Sequence, residues 1–274
     1  MERIEENRCI EGARVNAPEI QIRHCHSLAE YEECVRLELS TWGEHITVPS
    51  AIFVVAHHSG GQILGAFDGT RLVGFTLALA GFHPHRKFLH SHMTAVIPEY
   101  QNRGVARHLK LFQREDALQR GIPLVEWTFD PLELKNAHFN LVRLGAVARG
   151  YIPNCYGVTE SPLHAGLPTD RLVAEWWLDS PRVRAIIEGK PVSLASAEHV
   201  SIPAKIAEIK TQDPSAGLRI QSEAREQFLH WFSKGYVATY IESRGATTDY
   251  VLEPADSIAG LSLPEIQRDS KAPN

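Results

Sequence analysis

The segment richest in chemistry is V-I-P-E-Y-Q-N-R-G-V-A, Val96 to Ala106. It lies between an apolar run that reads as a strand and an amphipathic run that reads as a helix. A polar loop feeding a helix start leaves backbone N–H groups without intrahelical partners. Together with the helix dipole they make an anion site suited to phosphate. Gly104 lets a ligand approach the main chain closely, and Ala106 is nearly as small. Arg103 and Arg107 add positive charge. Just before the loop, His90, His92 and Thr94 alternate along Phe88–Val96, which places all three on one strand face. An untuned histidine there titrates near working pH.

These groups need a scaffold, and the surrounding periodicities predict one. Glu19–Arg23 reads as a first strand. Leu28–Trp42 reads as a helix opened by Ser27 and Glu30, a capping box. Pro49–His58 carries the run I-F-V-V-A, whose state the pattern leaves open. Gln62–Phe67 and Leu72–Ala80 flank Asp68-Gly69, a hairpin signal. Phe88–Val96 is the next strand, and a helix runs from Gly104 to about Arg120 with Gly121 past its end. Leu124–Phe129 is a strand stopped by Asp130-Pro131. Asn136–Leu144 is a helix closed by Gly145, and Tyr151–Gly157 a loop. Leu172–Leu178, Val200–Ile202, Val237–Ile241 and Tyr250–Leu252 read as strands, and Leu218–Lys234 as an amphipathic helix capped by Gly235. The predicted fold is a mixed α/β sheet flanked by helices, with a C-terminal α/β addition. The expected division is a polar leader over 1–17, a main domain over 18–179, an extension over 180–261 and a tail over 262–274.

Composition removes several functions. The 274 residues carry a net charge of -5, unlike a general nucleic-acid binder. Their 43% hydrophobic and 22% charged residues are globular values rather than those of a disordered chain. No apolar stretch is long enough to span a bilayer. The four cysteines form no C-x-x-C pair, and the first residues are too charged for a secretory signal, so a cytoplasmic location is expected. The fourteen histidines include His57, His58, His83, His85, His90 and His92, yet H-E-x-x-H and Cys–His finger spacings are absent, and no metal is expected. Cys155 has no identifiable partner base. G-x-x-x-x-G-K-[ST], G-x-G-x-x-G and G-x-S-x-G are also missing.

Gln101-Asn102-Arg103-Gly104-Val105-Ala106 resembles the Q/R-x-x-G-x-G/A signature of the GNAT N-acyltransferase superfamily. The likeness covers roughly residues 19–157. A closer likeness, to a less characterised branch of predicted acyltransferases, runs through L-H-S-H-M (89–93), W-T-F-D-P-L (127–132), N-A-x-x-N-L-x-x-L-G-A (136–146) and P-T-D-R-L (168–172). The resemblance implies an acyl-CoA donor, acetyl-CoA or another, held by Gln101, Asn102, Arg103, Gly104, Val105, Ala106 and Arg107. A backbone donor near Val96 would face the acyl carbonyl, and Asn136 and Asn140 would flank the pantetheine arm. It implies direct transfer to a small amine or amino acid, with a homodimer possible and neither nucleic acid nor membrane as partner. A family carboxylate about eleven residues before the loop falls on His90. His90 or His92 is therefore the expected base, with Glu126 and Asp130 as alternatives. The family's usual tyrosine acid falls on Leu141, a departure. Tyr151 or Tyr156 would have to replace it, and Tyr156 is preferred because Gly157 signals a tight turn that presents it. Without a replacement, the chain would be a non-catalytic acyl-CoA-binding protein.

Overall fold

A computed structural model describes residues 20–43, 47–84, 86–157, 165–195 and 197–261. The expected leader, the expected tail and His85 lie outside the described residues. Strand β1 (Gln21–His24) leads into α1 (Leu28–Trp42), which opens on the anticipated capping box: Glu30 N–H donates to Ser27 Oγ at 3.2 Å and Glu30 Oε2 accepts from Ser27 N–H at 3.2 Å. The open run is a helix, α2 (Ser50–His58), which buries Phe53 and Ala56. The hairpin follows as β2 (Gln62–Asp68) and β3 (Arg71–His83), then β4 (Arg86–Val96). Next come α3 (Val105–Gln119), β5 (Leu124–Phe129) and α4 (Leu134–His138), which runs on into a π-helical turn, Phe139–Arg143.

Beyond this point the chain departs more from expectation. Tyr151 and Ile152 end a strand, β6 (Val147–Ile152), rather than opening a loop. Its register slips between Ala148 and Gly150, which breaks the alternation that would have revealed it. Strand β7 (Arg171–Trp177) is followed by the seven-residue helix α5 (Pro181–Ile187), then β8 (Glu198–Pro203) and the equally short α6 (Ile206–Gln212). Helix α7 (Pro214–Ser233) starts four residues before its amphipathic stripe, with Pro214 in its first turn and Asp213 accepting from Ala216 N–H at 3.0 Å. Strands β9 (Tyr236–Arg244) and β10 (Thr247–Pro254) follow.

Among the described residues ten strands form one sheet, ordered β1-β2-β3-β4-β5-β7-β6-β9-β10-β8. Helices α1 and α2 cover one face, over Phe53, Ile63, Phe75, Leu77 and Met93. The other face carries α3 over Leu64, Val73 and Val96, and further along α4 and α7 over Trp127, Trp176 and Tyr250. Two irregularities shape the centre. The β4–β5 pair is parallel and is joined only at Leu89↔Val125 and His90↔Glu126, so the strands part beyond His90. Opposite the β3 step from Leu77 to Ala78, β4 steps from Met93 to Ser91, leaving His92 as an extra, bulged residue.

That bulge corrects the alternation argument. His90 pairs with Leu79, which packs against the α1–α2 cluster. Thr94 Oγ1 meets Thr76 Oγ1 at 2.9 Å, on the strand face of Gly74, where α3 contributes Leu109. His90 and Thr94 therefore lie on opposite faces, because one inserted residue reverses every side chain beyond it.

Candidate active site

The loop after β4 is built to present its main chain. Ile97 N–H donates to Val73 O at 3.0 Å, so the Val96 N–H, one residue back, turns toward the gap left by β5. The Val96 carbonyl, pointing the same way, accepts from Gln101 Nε2 at 2.9 Å. The Gln101 side chain is thus engaged in shaping the loop. Asn102 and Gly104 adopt positive φ values of 59° and 82°, which curl successive amides inward. No side chain caps α3, and the bond from His108 N–H to Gly104 O at 3.0 Å leaves the amides before it directed outward. A Cβ on Gly104 would meet nothing nearer than His108 Cε1 at 3.9 Å, so it would project into open space over those amides. The Val105 side chain is core, which leaves only its amide to offer. Arg103 lies over the Tyr100 ring at 5.3 Å, Tyr100 is anchored to Asp68, and Arg107 Nη2 reaches Ile187 O of α5 at 3.5 Å.

Where β4 and β5 part, titratable side chains gather on the α1–α2 face. The His90 and His92 rings are 6.1 Å apart. Burial, with His92 and Lys110 nearby, holds the His90 imidazole down to about 4, against the expected near-neutral titration. Glu126 sits in register with His90 and meets His83 Nε2 at 3.2 Å, while the His83 ring stacks on Phe88 at 4.3 Å. On the next strand Glu175 is in register with Glu126. Its carboxylate is held by Arg149 at 2.8 and 2.7 Å and by Trp177 Nε1 at 3.1 Å. Asp130 is buried and its Oδ1 accepts from Leu132 N–H at 2.8 Å, which ties it to the turn after β5.

The two tyrosines separate clearly. The Tyr151 hydroxyl donates to Asp170 Oδ2 at 2.6 Å, and burial and that carboxylate push its phenol far up. Tyr156 is exposed, and its hydroxyl meets Thr128 Oγ1 at 3.1 Å on the parted end of β5. Leu141 is fully buried in the core. Asn136 is exposed on α4. Asn140 is 3% exposed, in the π-helical turn, and its Nδ2 has no partner. The Cys155 thiol is pushed up by burial. Among the described residues no group of three His, Cys, Asp or Glu side chains is placed to hold a metal, and no helix is long and apolar enough to cross a membrane.

Sequence reasoning missed the His83–Glu126 pair, because a β-hairpin tip and a strand 43 residues away carry no shared pattern. It also missed Lys110, whose Nζ donates to Ser91 Oγ at 2.9 Å and Gln113 Oε1 at 2.6 Å behind the bulge, 4.3 Å from the Trp127 ring.

Residues 25–145 match the family model described as the acetyltransferase (GNAT) family. This segment resembles a GNAT acetyltransferase domain. No curated protein matches the chain. Among solved structures, similar ones include yncA from Salmonella typhimurium, a putative acetyltransferase with its cofactor acetyl-CoA, at 18% identity and TM-score 0.49, over 59% of this chain and 95% of that one. Another is the ribosomal-protein-S18-alanine N-acetyltransferase of Escherichia coli, at 14% identity and TM-score 0.46, over 65% and 97%. A third is Arabidopsis thaliana NAA60 with a bisubstrate analogue, at 15% identity and TM-score 0.47, over 58% and 98%. The GNAT match stops at residue 145, but β6, β7 and β8–β10 continue the sheet of the matched segment through β5–β7 and Ala148↔Ala238.

Proposed function

We propose that this protein is an acyl-CoA-dependent N-acyltransferase, moving an acetyl or succinyl group directly to a small amine or amino acid. The observation that carries the reading is the uncapped start of α3, with left-handed Asn102 and Gly104, beside a parallel strand pair that parts after two residues. The residues fit the cofactor. Amides from Asn102 to Arg107 would take its pyrophosphate, with Arg103 and Arg107 adding charge. The unpartnered Asn140 Nδ2 offers a buried donor for the pantetheine arm, with Asn136 at its rim. The thioester supplies an activated acyl group. The Val96 N–H, turned into the gap, is the donor for its carbonyl oxygen.

The amine enters over the α1–α2 face. His90 stays neutral at pH 7 and accepts a hydrogen bond from the amine, which orients its lone pair. Glu126, in register with His90 and paired with His83, is the general base that takes the proton from the amine. His92, on the bulge, lines the pocket. Tyr156 supplies a proton to the departing thiolate.

Calorimetry with CoA and several acyl-CoAs, followed by thiol release with a panel of amines, tests the reading. Micromolar binding and turnover support it, and no affinity for any CoA ends it. A non-catalytic acyl-CoA-binding role is favoured by one observation, the buried Leu141 at the usual acid's place. Binding without thiol release from any amine would select that role.

A further inference from the structure

The loop that presents Tyr156 is held by a helix lying beyond the GNAT match. Thr169 Oγ1 accepts from Tyr156 N–H at 2.8 Å and donates to Gly157 O at 2.7 Å. Cys155 N–H donates to Thr169 O at 2.9 Å, and Thr169 N–H to Asn154 Oδ1 at 3.3 Å. Asp170 Oδ1 accepts from Asn154 N–H at 2.9 Å. So every residue from Asn154 to Gly157 is bonded to Thr169 or Asp170. The 168–170 stretch is gripped in turn by α7. Gln221 Nε2 donates to Pro168 O at 2.8 Å. One turn on, Arg225 forks onto Asp170, with Nε to Oδ2 at 2.8 Å and Nη2 to Oδ1 at 3.0 Å.

Asp170 is fully buried, and a carboxylate in that state is costly unless its partners are in place. Its partners come from α7, from Tyr151 of β6 and from the Tyr156 loop, so its charge locks the three together. We infer that Arg225 and Gln221 are positioning residues for Tyr156, acting through Asp170 and Thr169 to hold its hydroxyl against Thr128 at the parted end of β5. This gives the C-terminal extension a part in the chemistry, and it rests on the proposed role of Tyr156.

The test is a double-mutant cycle on kcat with Tyr156→Phe and Arg225→Gln, together with Tm and hydrogen exchange of the 154–157 amides. Arg225→Gln should lower kcat about tenfold, part of the roughly hundredfold or more that complete loss of acid catalysis costs, with acyl-CoA KM unchanged. Arg225→Lys should restore part of the rate. In the Tyr156→Phe background Arg225→Gln should lower kcat no further, although its Tm loss is the same in both backgrounds. Where Tyr156→Phe lowers kcat, equal kcat losses from Arg225→Gln in both backgrounds, or no loss in either, overturn the inference. If Tyr156→Phe keeps full turnover, the proton role of Tyr156 is what fails. The strap is then judged by exchange alone: faster exchange at 154–157 in Arg225→Gln supports it, and unchanged protection rejects it. Should Arg225→Gln not fold, Gln221→Ala, which removes one neutral bond, takes its place with the same outcomes.

Discussion

At the residue scale the site rests on atoms with no side-chain substitute. The α3 amides are usable because Gly104 takes φ 82° and leaves the space above them open. Gly104→Val fills that space and strains the turn. CoA affinity by calorimetry should fall by more than about tenfold, the loss of one or two charge-assisted hydrogen bonds. Full affinity in a folded Gly104→Val protein would remove the loop from the cofactor site. His90 gives a second prediction, set by its lowered pKa. With the imidazole already neutral above about 4, His90→Ala should lower kcat/KM by a similar factor at pH 6 and pH 8 and remove no inflection between them. An inflection that vanishes in the variant would mean that His90 titrates near 7 and is the base. The loop was legible in sequence because a glycine, a strand before it and a helix after it are all local. The pKa was not, because burial depends on which elements close over the residue.

At the element scale, α1 shows both how far local pattern reaches and where it stops. Ser27 and Glu30 announced its start, since a capping box is satisfied within one turn. Helix α2 was ambiguous because a short apolar run fits a buried strand equally well, and only the packing of Phe53 under Tyr31 and Phe75 decides. The bulge at His92 and the slip at Arg149 were illegible, since each is a relation between two strands. The same helix carries a pH prediction. Glu38 is fully buried, and its Oε1 accepts from Val48 N–H at 2.7 Å, tying α1 to the chain before α2. Burial lifts its carboxyl to about 7 from an unfolded value of 4.5. The folded state therefore binds the proton more tightly, and stability from this group is full below about 4.5 and lost as pH rises through 7. Glu38→Gln keeps an acceptor for Val48 and removes the buried charge. It should match the wild type in Tm at pH 4.5 and exceed it by a few degrees at pH 8, and a constant difference across that range would show that Glu38 is not titrating.

At the scale of the whole molecule, the expected boundary near residue 180 meets a sheet that crosses it. Strand β9 joins β6 at Ala148↔Ala238, and Arg182 Nη2 donates to Thr239 O at 2.5 Å. Tyr250 of β10 gives its hydroxyl to Pro131 O at 2.7 Å, reaching the turn that follows β5. Phe228 of α7 stacks on Tyr151 at 5.8 Å and meets Tyr250 edge-on at 5.1 Å, inside a cluster that also holds Trp127 and Leu141 of the matched segment. A core shared in this way should melt as one unit. Phe228→Ala deletes a fully buried ring and should cost about 3–5 kcal/mol, lowering Tm by roughly 10 °C in a chain of this size. Phe53→Ala, under α1 on the opposite face and far along the sheet, should lower the same single transition by a similar amount. Scanning calorimetry separates this from a divided molecule. In a divided molecule each variant would shift its own transition and leave the other in place, and residues from 180 onward would then fold independently of those before them. In a shared core, loss of Phe228 also loosens Tyr151 and Asp170, so acyl transfer should fade with temperature along the same curve as the fold.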